Sequence, residues 1–200
     1  LFVGAAMPFD EISALKQIES VLMSSDRAGR DLRVIYRPHP WRQKRRTLSS
    51  FEAESFSITS LDTQIANAYA QGLTPDAAGT AFQPDLNYYP SLLAGAECVV
   101  GPLTTMLLEA AVCLRPVVAL NYNDGHHSNT SLQYFSHFDG ADRIPNFRFC
   151  NDAGELEDAI LEALDAELPS PLHSDTRTDY FIHHPRDGYP TELSRFVSTI

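Results

Sequence analysis

The stretch Arg37-Pro38-His39-Pro40-Trp41-Arg42, with Lys44, Arg45 and Arg46 behind it, gathers basic side chains around one histidine. With Arg33 just upstream it holds six of the 15 Lys and Arg residues, so in an otherwise acidic chain it reads as an anion-binding stripe. Prolines on both sides of His39 restrict the backbone and aim the imidazole with little entropy left to lose. An imidazole held this way can donate to a phosphate oxygen or protonate a leaving group. The plainer reading is a solvated basic loop whose histidine caps a sheet.

A second stretch, Gly101-Pro102-Leu103-Thr104-Thr105, places small and hydroxyl residues where a strand meets a helix N-terminus. Free backbone N–H groups and the positive helix end collect there, and either threonine can serve as N-cap. Glu109 follows Thr105 at i+4, one turn into the helix on the same face, where a carboxylate can accept from ribose hydroxyls. The arrangement suits a nucleotide. It also suits a capped helix whose Glu109 reaches a neighbouring arginine.

Other chemistry is thinly represented. GxGxxG and GxxxxGK[ST] are both absent, which removes the standard dinucleotide and P-loop readings. His126-His127 and His183-His184 are adjacent pairs whose rings point apart on regular structure, and no acidic partner has ligand spacing, so no metal is expected. No GxSxG occurs, and Cys98, Cys113 and Cys150 lie in apolar settings, so nucleophilic hydrolase readings are weak. An odd number of widely spaced cysteines fits buried thiols of a reducing compartment, with the cytosol as the expected location.

The elements that must position these loops alternate. Residues 1–5 are an apolar run, and Ile12, Leu15, Ile18, Val21 and Leu22 recur at helical spacing after Asp10, a natural N-cap. Residues 30–37 are β-branched and aromatic and stop at Pro38, and residues 54–60 alternate as a short strand. Residues 61–82 read mostly as loop with one or two helical turns. A short helix runs to Leu93, a strand over 97–100 ends at Gly101-Pro102, and a helix over 104–114 leads to a strand over 117–120. A last strand over 147–150 and an acidic amphipathic helix over 154–168 follow. Leu193, Phe196, Val197 and Ile200 give the tail helical spacing too. This order predicts a Rossmann-like, three-layer α/β/α domain with a mostly parallel sheet over residues 1–168, and a tail over 169–200 that packs back on it or towards another domain.

The bulk numbers set outer bounds. A chain of 200 residues, 44% hydrophobic and 20% charged, is long enough for one large core and unlike a disordered or coiled-coil sequence. A net charge of −11 disfavours a surface that coats nucleic acid or anionic lipid. No apolar run approaches the roughly 18 residues of a spanning helix. The first residues carry no signal peptide and no Met, which suggests a fragment of something larger.

Together, YRPHP after an early strand and GPLTTMLLEAAVCLRPVVAL later resemble the C-terminal, donor-binding half of a GT-B fold bacterial glycosyltransferase. The likeness is to capsule polysaccharide transferases, CDP-glycerol glycerophosphotransferases and the bacterial sialyltransferases with an HP motif and a Ser-Ser/Thr motif, and it covers roughly residues 1–121. It implies that His39 contacts the donor phosphate and assists its departure, that Thr104 and Thr105 bind phosphate, that Glu109 holds the ribose, and that Arg37 is a second phosphate partner. It also implies a metal-independent enzyme without a cofactor, possessing a nucleotide-activated donor (CMP-, CDP- or UDP-linked) and a hydroxyl acceptor on a glycan or polymer. Two departures stand out: Thr104 replaces the expected Ser, and the acidic motif supplying the general base has no match here and belongs to an N-terminal acceptor domain. On this reading the full protein is cytoplasmic or peripheral at the inner membrane. A UDP-sugar epimerase of the same architecture is the rival enzyme. A non-catalytic nucleotide-binding or assembly module using the acidic helix 154–168 is the rival without chemistry.

Overall fold

The computed structural model describes residues 1–24, 31–39, 51–73 and 87–167. The basic run from Pro40 to Arg46, the second histidine pair and the tail over 169–200 lie outside them. The strands are β1 (Phe2–Val3), β2 (Val34–Arg37), β3 (Thr59–Leu61), β4 (Val99–Pro102), β5 (Val117–Leu120) and β6 (Phe147–Cys150). The helices are α1 (Glu11–Ser24), α2 (Thr63–Ala70), α3 (Tyr89–Ala94), α4 (Thr105–Val112), α5 (Ser131–Tyr134) and α6 (Leu156–Asp165). All strand pairs are parallel, and the sheet order is β3-β2-β1-β4-β5-β6. This is a Rossmann-like three-layer α/β/α fold.

Because successive strand side chains point to opposite faces, each strand feeds two cores. Phe2, Val34, Tyr36, Val100, Val118 and Leu120 pack with α1 and α6 on one face. Val3, Val99, Val117, Ala119 and Phe147 pack with α3 and α4 on the other. α1 buries Ile12, Leu15, Ile18 and Val21, the stripe seen in the sequence. Asp10 caps it, its Oδ1 accepting from Ser13 N at 3.1 Å and its Oδ2 from Ser13 Oγ at 2.6 Å.

β4 does not stop at Gly101-Pro102 as the sequence suggested. It runs through both residues, which pair with Ala119 and Leu120 of β5. Gly101 is needed for close approach: a Cβ built there would collide with the Val3 carbonyl oxygen of β1. The one or two helical turns expected within 61–82 are α2, where Asp62 accepts from Ile65 N at 3.2 Å and Ile65 and Ala68 are buried. Glu19, mid-way along α1 and 8% exposed, pins that helix to β3. Its oxygens accept from Ser57 N at 2.7 Å, Ile58 N at 3.0 Å and the Thr59 hydroxyl at 2.6 Å. Burial opposes its charge, but these bonds prevail and hold the carboxyl below its ordinary range.

Candidate functional site

In this strand order the chain leaves β1 towards one face, through α1, and leaves β4 towards the other, through α4. The carboxyl ends of these neighbouring strands therefore open into a crevice, the position where open parallel sheets bind ligands. Its walls are the turn after β1, the turn after β4 and the loops after β2 and β5.

The turn after β1 is already filled. Glu11, the first residue of α1, is fully buried, its Oε1 accepting from Ala5 N at 3.2 Å and its Oε2 from the Tyr36 hydroxyl at 2.7 Å. A carboxylate of the chain thus occupies the place at the α1 N-terminus where a dinucleotide phosphate would lie. Gly4 makes room for it, since a Cβ there would stand 2.8 Å from Glu11 Oε2 and 2.8 Å from the backbone nitrogen of His39. The missing GxGxxG has this physical counterpart. In sequence, the signal was an acid at the first helical position after a strand and a glycine, a pattern that also marks an ordinary helix start.

The turn after β4 is open. Thr104 sits at the N-cap of α4 with extended backbone, and its hydroxyl makes no capping bond. Thr105 and Glu109 are exposed on the first turns of that helix. Beside them Tyr89 of α3 is 7% exposed, its hydroxyl near the Glu109 carboxylate but outside hydrogen-bond geometry with any group. Burial, then the neighbouring Glu109 charge, pushes that phenol well above its usual range. Thr104, Thr105 and Glu109 are thus brought together as the spacing implied.

His39 lies two residues past the end of β2, after Pro38, and is half-buried at the rim beside Gly4. The hydrogen bond from Gly4 N to the Arg37 carbonyl, 2.8 Å, ties the turn after β1 to the end of β2 beneath it. Arg37 has a different task from the one the resemblance implied. It is 3% exposed; its Nη1 lies 2.9 Å from Asp62 Oδ1 and its Nη2 donates to Gln64 Oε1 at 3.0 Å. The Tyr88 hydroxyl donates to the other Asp62 oxygen at 2.8 Å, and the Tyr89 ring lies 6.0 Å from the guanidinium carbon. Both terminal nitrogens are committed inside the protein, so Arg37 supports the crevice and is not offered to a phosphate. The carboxylate that claims it, Asp62, is 25 residues away, a pairing that no local pattern announces.

The loop after β5 is built on Asp124, His127 and Asn121. Asn121 accepts from Leu132 N at 2.8 Å and donates to Asn151 Oδ1 at 2.7 Å, while Ser131 Oγ donates to the Leu120 carbonyl at 2.6 Å. The Phe9 and Tyr122 rings pack at 5.4 Å, carrying the loop across to the turn after β1. Among the described residues no group of three His, Cys, Asp or Glu could hold a metal ion. All three cysteines are free; burial pushes the Cys98 thiol up to about 12 and Cys150 to about 11. An apolar pocket of about 260 Å³, lined by Phe2, Val34, Leu92, Val100 and Ile160, opens at the amino ends of the strands, remote from the crevice. No described helix is long and apolar enough to cross a membrane. Comparison with family models, curated proteins and solved structures returns no match, so function is argued from this geometry.

Proposed function

We propose that this chain is the donor-binding half of a metal-independent, nucleotide-dependent transferase that passes an activated group to an acceptor hydroxyl, with a second domain supplying the acceptor side. The observation that carries the reading is the contrast at the switch point. One helix N-terminus, that of α1, is neutralised by the buried Glu11, whereas that of α4 presents an uncommitted Thr104 hydroxyl, an exposed Thr105 and, one turn on, Glu109. A phosphate on α4 gains the backbone N–H groups and the positive helix end, and Glu109 stands where the ribose of the same nucleotide would lie. His39, at the rim next to β1, faces the departing phosphate from the opposite wall and stabilises its charge as the bond breaks. CMP-, CDP- and UDP-linked donors are the substrates to test first, and polysaccharide or a related cell-surface polymer is the acceptor class.

Calorimetric titration with CMP, CDP, UMP, UDP and GDP tests the assignment. Thr104→Val weakens the preferred nucleotide roughly tenfold or more while leaving the free nucleoside little changed, because it removes a hydrogen bond to a charged group. Glu109→Ala weakens ribonucleotides and spares their 2′-deoxy counterparts. A folded chain that binds none of the five, or binds them equally well after both substitutions, rules the donor site out.

A further inference from the structure

The loop after β5 carries a pair of side chains that the donor site does not use. His127 Nδ1 lies 2.7 Å from Asp124 Oδ2, with the carboxylate 5% and the imidazole 17% exposed. The carboxylate also accepts three backbone N–H groups, from His126 at 2.9 Å, His127 at 2.8 Å and Asp10 at 2.7 Å. Burial works against its charge, but these four bonds prevail and hold Asp124 below the usual carboxylate range. An ionised, acceptor-only partner requires the proton on Nδ1, so neutral His127 keeps its lone pair on Nε2. Among the described residues that atom has no hydrogen-bond partner, and it is not enclosed.

The bond from Asp10 N to Asp124 also fixes where the pair sits. It ties the loop after β5 to the N-terminus of α1, so the loop passes beside the end of β4, which lies between β5 and β1 in the sheet. Charge divides the crevice in two. The α4 end favours an anion, whereas His127 lies against the Asp124 carboxylate and its neighbour His126 has Nε2 3.6 Å from the carboxylate of Asp10, the N-cap of α1. These carboxylates favour a neutral hydroxyl there over a second phosphate.

We propose that His127 is the general base for the acceptor hydroxyl and that Asp124 is its positioning residue. Nε2 takes the hydroxyl proton as the oxygen bonds to the activated carbon or phosphorus of the donor. The bond from that atom to the nucleotide phosphate breaks, the nucleotide leaves as the anion, and the imidazolium returns its proton to solvent. The proposal rests on the donor-site reading, but it places the base on this chain, where the family resemblance would put it on the other domain.

The test is nucleotide release from CMP-, CDP- and UDP-linked donors, with water or added glycerol as acceptor, and nucleotide Kd measured in parallel. His127→Gln is expected to lower kcat about 10²- to 10⁴-fold and leave Kd within about twofold. Asp124→Asn lowers kcat and moves the neutral imidazole to the Nε2–H tautomer, read in ¹⁵N spectra, which a merely structural role for Asp124 would not do. Unchanged kcat in His127→Gln overturns the proposal. So does a wild-type chain that binds nucleotide yet releases none, an outcome that leaves the donor site standing. Absence of nucleotide binding overturns the donor site and the base with it.

Discussion

At the scale of single residues, the crevice depends on two glycines that leave no room for a side chain. Gly101→Ala would drive a methyl group into the Val3 carbonyl, and backbone on both sides resists movement. The expected loss is about 3 kcal/mol or more in urea denaturation, the size of a severe core substitution. Cys98 gives a second check: with its thiol pushed up to about 12, it stays unreactive towards disulfide reagents at pH 8 until the protein unfolds. The residues that spacing marked, Thr104, Thr105 and Glu109, are local to one another, and a single βα junction places them. Glu11, Asp62 and Asp124 escaped notice because a buried carboxylate is defined by its donors. For Asp124 one donor, Asp10 N, is 114 residues away.

Among the elements, the clearest dependence is that of α1 on β3 through Glu19. Glu19→Gln keeps the shape but removes the charge that three donors satisfy, so about 1–3 kcal/mol is lost at neutral pH. The acid response follows from the same carboxyl. Its folded-state pKa lies below the ordinary value, so its contribution is complete above the unfolded pKa and disappears as pH falls through the folded one. As pH falls from 7 through and below the ordinary carboxylate range, the gap in melting temperature between wild type and Glu19→Gln should therefore narrow. A gap that stays constant with pH would count against the ionised form. Helical periodicity disclosed α1, α4 and α6, whose apolar stripes face a sheet. The end of β4 was misread because Gly-Pro normally punctuates a strand, whereas here the glycine is what lets β4 lie against β1.

Across the molecule, the ends of β2, β3 and α3 are joined by the ion pair of Arg37 and Asp62, 3% and 0% exposed. Arg37→Met strands a buried carboxylate and should cost about 3–5 kcal/mol, while adding Asp62→Asn recovers part of that loss, since the amide needs no counter-charge. Additive losses in the double variant would show that the pairing is not what binds these elements. Alternating strands and helices sufficed to foretell a parallel, layered sheet. They do not foretell strand order, which is decided by contacts between segments such as β1 and β4 that are distant in the chain, and so the crevice itself was legible only as a general expectation.

That distance bears on how the protein is made. β1 is a central strand of only two residues, and its β4-side neighbour arrives about a hundred residues later, with Leu1 N donating to the Cys98 carbonyl. Until β4 is made, β1 lacks the strand that pairs its second edge. Variants that weaken β4 should therefore lower the soluble share of expressed protein before they register as unstable folded chains, a difference read by comparing soluble with total expression.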